Sequence, residues 1–117
     1  PFDHVSYEGQ IHTISQCNNY LAFPGIGLGI MAVKAKRVTE GMLLAASKAL
    51  GNYAYQHCES LLPVIAQVEA ASKGVAIAVA RTAIEEGQAG ITIQKPVEAL
   101  IEETIWSPHY IPYKKIS

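Results

Sequence analysis

The sequence predicts a mainly α-helical chain with a short strand region at its N-terminus. Apolar residues recur at helical spacing from about residue 26 to residue 106. Gly and Pro residues interrupt this pattern at the points where helices should begin and end. Only residues 5–15 have the character of extended strands. With 117 residues, the chain is long enough for one domain, and folding would bury roughly two-thirds of its extended surface.

The N-terminal residues 5–15 read as two short extended pieces on either side of Glu8-Gly9. Gly9 can adopt the positive φ that a tight hairpin turn requires. The segment therefore predicts a β-hairpin, and Pro24-Gly25 ends the irregular stretch that follows it.

The first two helices are predicted over residues 26–36 and 40–55. The first is a nearly continuous apolar run that begins after Pro24-Gly25, and Thr39 is a good N-cap for the second. Glycines at 25, 27 and 29 remove side chains, so that a ligand or another backbone can approach closely. The second helix has apolar residues at helical spacing: Met42, Leu43, Ala46, Ala49, Leu50 and Tyr53.

A third helix is predicted over residues 65–86, with Gly87 as its C′ residue. A fourth is predicted over residues 96–106, with Pro96 at the N1 position. The tail, residues 107–113, contains two prolines and alternating aromatic residues. It should be irregular and lie over a surface.

The composition excludes some classes of function and partner. The net charge is −1, so nothing draws the chain to nucleic acid or to an anionic membrane. No apolar run approaches the roughly 18 residues of a membrane span, and no signal peptide is seen. Cys17 and Cys58 form neither a disulfide framework nor a metal-ligand pattern, which favours a reduced, cytoplasmic location.

The charged fraction is 16%, below the usual share of about a quarter. Two explanations stay open. Part of the surface contacts another protein segment or subunit, or the chain is an alanine-rich helical domain.

Asn18 and Asn19 are the candidate binding residues. Each carboxamide offers one acceptor and two donors without charge, which suits a polar ligand such as a hydroxy acid or a nicotinamide ribose. Ser15 and Gln16 are weaker candidates from the same stretch. The alternative is that the asparagines only shape a turn. Cys17 is explained as a small residue packed behind them, with a reactive thiol as the minority view.

Other motifs carry no chemistry. Gly25-Ile26-Gly27-Leu28-Gly29 is not a dinucleotide loop, because the third glycine of G-x-G-x-x-G would fall on Ile30 and the acidic residue roughly 20 positions on is absent. The four histidines are scattered, and the paired glutamates are expected on solvated helix faces. No catalytic residue and no metal ligand is therefore assigned.

The run Gln16-Cys17-Asn18-Asn19, followed after three residues by Phe23-Pro24-Gly25-Ile26-Gly27-Leu28-Gly29, resembles the malic enzyme family near the C-terminus of its polypeptide. The resemblance continues through residues 35–42, 61–63, 83–87 and 106–110, and so covers essentially the whole chain.

The resemblance implies an α/β fold, in which residues 1–117 are the C-terminal part of a Rossmann-type NAD(P)-binding domain. Residues 1–37 would hold the last strand region, the asparagine pair and the helix that follows. Residues 38–117 would hold the C-terminal helices and the tail.

The resemblance also implies a reaction, the oxidative decarboxylation of malate to pyruvate and carbon dioxide with reduction of NAD or NADP. Asn18 and Asn19 would contact malate or pyruvate and the nicotinamide. Mg²⁺ or Mn²⁺, the general base and acid, and the dinucleotide loop would lie outside this chain. The implied partners are the upstream part of the same polypeptide and further copies in a homo-oligomer. The chain also resembles malolactic enzymes, and on its own it should be inactive.

The alternative is a stand-alone helical interaction or scaffolding module of malic-enzyme-like shape. The start at Pro1 without methionine favours a piece of a longer protein. The gene upstream of Pro1 would distinguish the two interpretations.

Overall fold

The structure is a computed structural model that describes residues 2–107 and 109–114. Its elements in chain order are β1 (Val5–Tyr7), β2 (Gln10–His12), α1 (Phe23–Val33), α2 (Glu40–His57), α3 (Val68–Glu85) and α4 (Val97–Thr104), with 3₁₀ turns at Asn19–Leu21 and Ile65–Gln67. The prediction of a mainly helical chain with an N-terminal strand region is confirmed.

The predicted hairpin is present. β1 and β2 pair antiparallel, with Val5 opposite His12 and Tyr7 opposite Gln10. Glu8 and Gly9 both have positive φ, +49° and +76°, as a two-residue type I′ turn requires. Within the described residues this pair is the only sheet, and all six of its residues are exposed.

Helix α1 begins three residues earlier than predicted. The expected start at residue 26 was wrong because Pro24 lies inside the first turn, where its fixed φ suits a helix and its missing N–H costs nothing. The expected end at residue 36 was also wrong. Lys34 is left-handed, with φ +49°, and its N–H and that of Ala35 bond back to the carbonyls of Met31 and Ile30.

Two of the three glycines of α1 allow it to pack against α3 at backbone distance. A Cβ on Gly25 would lie 2.6 Å from the Ser72 carbonyl oxygen, and one on Gly29 would lie 2.6 Å from the Ala76 carbonyl oxygen. Gly27 has no such neighbour within 4 Å. The close approach that the glycines predicted is therefore that of another backbone at Gly25 and Gly29.

Helix α2 begins at its predicted residue. Thr39 is the N-cap, as predicted, because its Oγ1 accepts a hydrogen bond of 3.1 Å from the Met42 N–H. The same hydroxyl donates to Glu86 Oε2 at 2.5 Å. Thr39 thereby joins the start of α2 to the end of α3.

Helix α3 is the centre of the packing, because α1, α2 and α4 all contact it. The core that they share consists of Ala32, Val33, Met42, Ala46, Val75, Ala76, Val79, Ala80, Ala83 and Ile101. Gly87 follows the helix with φ +68°, and the Gln88 N–H bonds to the Ala83 carbonyl at 2.7 Å. The predicted glycine C′ residue is confirmed.

Helix α4 is shorter than predicted. Pro96 is its N-cap rather than its N1 residue, and the helix ends at Thr104 because Ile105 is extended. Residues 107 and 109–113 form neither helix nor strand, as predicted, whereas residues 105–106, which were expected to end the fourth helix, are also irregular; Pro108 lies outside the described residues. In the part of the chain that the structure describes, no helix is both long and apolar enough to cross a membrane.

Candidate functional site

The candidate site is a cavity of about 750 Å³ between the segment before α1 and the loop between α2 and α3. The first wall consists of Thr13, Ile14, Ser15, Gln16, Asn18, Tyr20 and Leu21, and the second of Ser60, Leu62, Pro63, Val64, Ile65 and Ala66. The two walls are joined by a hydrogen bond of 3.2 Å from the Leu62 N–H to Ser15 Oγ.

Asn18 lines the cavity and also shapes the chain. It is the N-cap of the 3₁₀ turn Asn19–Leu21, and its Oδ1 accepts a hydrogen bond of 2.9 Å from the Tyr20 N–H. That bond identifies the amide oxygen, so the Nδ2 group is the part of the side chain left to donate. Asn18 therefore has the turn role that the sequence left open, and keeps two donors for a ligand.

Asn19 lies differently. It is exposed and is not among the residues that line the cavity, and its side chain has no hydrogen bond to the described residues. Its backbone oxygen accepts from the Ala22 N–H at 3.1 Å. Both ends of its carboxamide thus remain available to a ligand at the edge of the cavity.

The weaker candidates Ser15 and Gln16 both line the cavity, so the structure brings them together with Asn18. Cys17 does not lie behind the asparagines. It is exposed, and the expectation that it packs as a small apolar residue was wrong.

Gln67, at the end of the second 3₁₀ turn, was not predicted as a functional residue. Its Oε1 accepts from the Val64 N–H at 3.1 Å and from Cys58 Sγ at 3.3 Å, and its Nε2 donates to the His57 carbonyl at 3.1 Å. The available signal was its spacing. A glutamine three residues after the N-cap is one half of a capping box, and Val64 lacks the hydroxyl that would supply the other half.

The cavity lining contains no charged side chain among the described residues. A wall of hydroxyl, amide and apolar groups suits a neutral polar group such as a nicotinamide or a ribose. It does not suit a pyrophosphate, which needs cations or a helix N-terminus aimed at it.

The described residues contain no cluster of three His, Cys, Asp or Glu side chains that could bind a metal ion. The glutamates of α4 instead form surface ion pairs, Lys73 with Glu102, Arg81 with Glu98 and, at 2.7 Å, Lys95 with Glu103. These residues therefore do not fit a resident divalent metal.

The chain that forms this cavity matches a known family. Residues 1–84 match the family described as malic enzyme, NAD binding domain, and the chain belongs to it. The resemblance to malic enzymes is thereby confirmed.

Individual relatives are bacterial proteins named NAD-dependent malic enzyme. The chain is 44% identical to the one from Aliivibrio fischeri over 118 residues, which are 98% of this chain and 21% of that protein. It is 42% identical to the one from Pectobacterium carotovorum over 120 residues, 100% of this chain and 21% of the relative. The chain is also 44% identical to the one from Acinetobacter baylyi over 119 residues, which are 99% of this chain and 21% of that protein. The chain thus spans about a fifth of the length of the curated relatives it matches.

Proposed function

We propose that this chain is the C-terminal part of the Rossmann-type, α/β NAD-binding domain of a malic enzyme. The intact enzyme would convert malate to pyruvate and carbon dioxide and reduce NAD, or NADP. The family and the names of the relatives support the reaction. The observation that carries the role of this chain is the uncharged cavity wall, which presents Asn18 Nδ2 beside Ser15 and Gln16.

The asparagines orient the reactants in this proposal. Asn18 donates through Nδ2 only, because its oxygen already accepts from Tyr20. Carbonyl and carboxylate oxygens of nicotinamide, malate or pyruvate are suitable acceptors. Asn19 uses either end of its amide. Holding the malate C2 hydrogen against the nicotinamide ring lets hydride transfer proceed in near-attack geometry.

The remaining chemistry belongs to the rest of the polypeptide. Malate oxidation needs a base for the hydroxyl proton, and decarboxylation needs stabilisation of the enolate, which a Mg²⁺ or Mn²⁺ ion supplies when it is bound. Because the described residues hold no metal cluster, we assign that ion to side chains outside this chain.

Exposed apolar side chains support the upstream part of the polypeptide as a partner. Tyr20, Phe23 and Ile65 lie on or beside the cavity with exposed fractions of 55%, 63% and 73%. Large apolar groups clustered at a site commonly mark a contact with another segment. We assign this face to the rest of the domain, and other exposed surface to a homo-oligomer contact.

Asn19→Ala in the intact enzyme tests the proposal. We expect kcat/KM for malate to fall roughly 10- to 1000-fold, the scale of one or two hydrogen bonds to a charged group at about 1.5–3 kcal/mol each. The melting temperature should hardly change, because Asn19 is exposed. Asn18→Ala should behave similarly, with a larger effect on cofactor binding, but it also removes a cap worth about 1 kcal/mol.

Asn52→Ala is the matched control, because Asn52 is an exposed asparagine within α2 and away from the cavity lining. Steady-state kinetics and a thermal melt on both variants decide the question. Normal kinetics for folded Asn19→Ala would refute the site assignment.

A further inference from the structure

We infer that Gln67 is a positioning residue for the proposed nicotinamide and malate site, an inference that rests on the proposed function. Gln67 does not line the cavity that contains Asn18. It lines an adjoining cavity of about 880 Å³, which shares Thr13, Ile14, Ser60 and Val64 with the first. Any influence of Gln67 on a ligand therefore passes through the loop of residues 58–66.

Gln67 closes this loop at its base. The donor bond from Nε2 reaches the carbonyl of His57, the last residue of α2, at 3.1 Å. That carbonyl is one of the helix-end groups that have no partner inside the helix. The Oε1 atom accepts from Val64 N–H at 3.1 Å and from Cys58 Sγ at 3.3 Å. One half-buried carboxamide thus joins the end of α2 to both ends of the loop.

A second anchor holds the loop from the other side of the cavity. The Leu62 N–H donates to Ser15 Oγ, and Ser60 Oγ donates to the Leu62 carbonyl at 2.9 Å. Most of the remaining wall residues are apolar, and the backbone between Cys58 and Val64 forms no regular structure. The position of the wall opposite Asn18 therefore depends on a small number of side-chain hydrogen bonds.

A loop held in this way affects binding through the fraction of molecules in which the loop is in place. If the ligand binds only when the wall is in place, its apparent Kd rises in inverse proportion to the fraction of molecules in that state. Losing two or three neutral hydrogen bonds changes such an equilibrium by about 5- to 100-fold. The hydride-transfer step itself does not involve Gln67, so turnover at saturation should change little.

The test is Gln67→Met in the intact malic enzyme, a change that keeps side-chain length and removes the donor and the acceptor. We expect the Kd of NADH, measured by titration of nicotinamide fluorescence, to rise about 3- to 30-fold. The KM for malate should rise in parallel, and kcat should stay within about threefold. Amide hydrogen exchange at Leu62 and Val64 should become faster in the free protein.

Gln88→Met is the matched control. Gln88 is also half-buried, and its Nε2 donates to the Glu86 carbonyl at 3.2 Å, beyond the C-terminus of α3. The same substitution there should leave the Kd of NADH unchanged.

The outcomes separate the two hypotheses. An unchanged Kd in folded Gln67→Met, or an equal rise in Gln88→Met, would overturn the positioning role and leave the proposed function intact. A wild-type enzyme that neither binds NADH nor turns over malate would overturn the proposed function itself. If Gln67→Met does not fold, Gln67→Glu keeps an acceptor oxygen and removes only the Nε2 donor to the His57 carbonyl, and its Kd should rise about 2- to 10-fold. An unchanged value would reject the inference.

Discussion

The contact between α1 and α3 predicts opposite effects for two glycine-to-alanine substitutions in one helix. In Gly29→Ala the new Cβ would lie 2.6 Å from the Ala76 carbonyl oxygen and 2.9 Å from Val79 Cβ. Neither neighbour is the end of a flexible side chain. The two helices must therefore move apart, or α1 must rotate. In Gly27→Ala the added methyl group meets nothing within 4 Å.

The expected magnitudes follow from overpacking and helix propensity. Forcing a methyl group into a packed contact costs roughly 1–3 kcal/mol. Because the new methyl group of Gly29→Ala meets backbone, its overpacking cost should be about 3 kcal/mol. Alanine recovers about 1 kcal/mol of helix propensity at either site. The net change is thus a loss of about 2 kcal/mol for Gly29→Ala and a gain of up to about 1 kcal/mol for Gly27→Ala.

Thermal unfolding of the chain, followed by circular dichroism at the helical band, measures both effects. At about 4 °C per kcal/mol for a chain of this size, the melting temperature should fall by about 8 °C for Gly29→Ala and rise by as much as about 4 °C for Gly27→Ala. If Gly29→Ala were as stable as Gly27→Ala, the close helix contact would be wrong.

Two further predictions concern single side chains. Ser72 is only 8% exposed, and its Oγ has no hydrogen-bond partner in the described residues. Ser72→Ala should therefore raise the free energy of unfolding by about 1 kcal/mol. A urea midpoint lower than that of the wild type would contradict this prediction. Thr39→Ala removes the N-cap of α2 and the hydrogen bond to Glu86, and should cost about 1–2 kcal/mol. Thr39→Ser keeps the hydroxyl and is the control, so equal urea midpoints for the two variants would show that the cap contributes nothing.

Local signals in the sequence were sufficient for most of the helical framework. Thr39 and Gly87 mark helix ends through their own side chain or φ, and the structure has both in these roles. The end of α1 could not be located in this way. Lys34 adopts the left-handed conformation that glycine favours, because the residues on either side of it pair with residues 88–90. The Lys36 N–H donates to the Gln88 carbonyl, and the Gly90 N–H donates to the Val33 carbonyl. That pairing joins segments more than 50 positions apart, and no local pattern reports it.

The candidate site was likewise predictable only where a local pattern in the sequence marks it. Asn18 is conspicuous because two carboxamides precede a helix start, and the structure places it in the cavity wall. Its binding role and that of Asn19 stay predictions. The opposite wall was not predicted, because the 58–66 loop has no helical or alternating pattern. Its position depends on tertiary hydrogen bonds of Ser15 and Gln67.

The glycine contacts have a consequence for movement in the site. Gly25 and Gly29 fix α1 on α3 at two points about one turn apart, so α1 can neither slide nor turn without displacing the central helix. Leu21, only 5% exposed, extends this attachment to the turn that carries Asn19. The turn that carries Asn19 is therefore held against the helical core, whereas the loop of residues 58–66 is held mainly by side-chain hydrogen bonds. Under the proposed function, any adjustment between malate and pyruvate would fall to the loop side, and exchange of one ligand for the other should depend on how fast that loop opens.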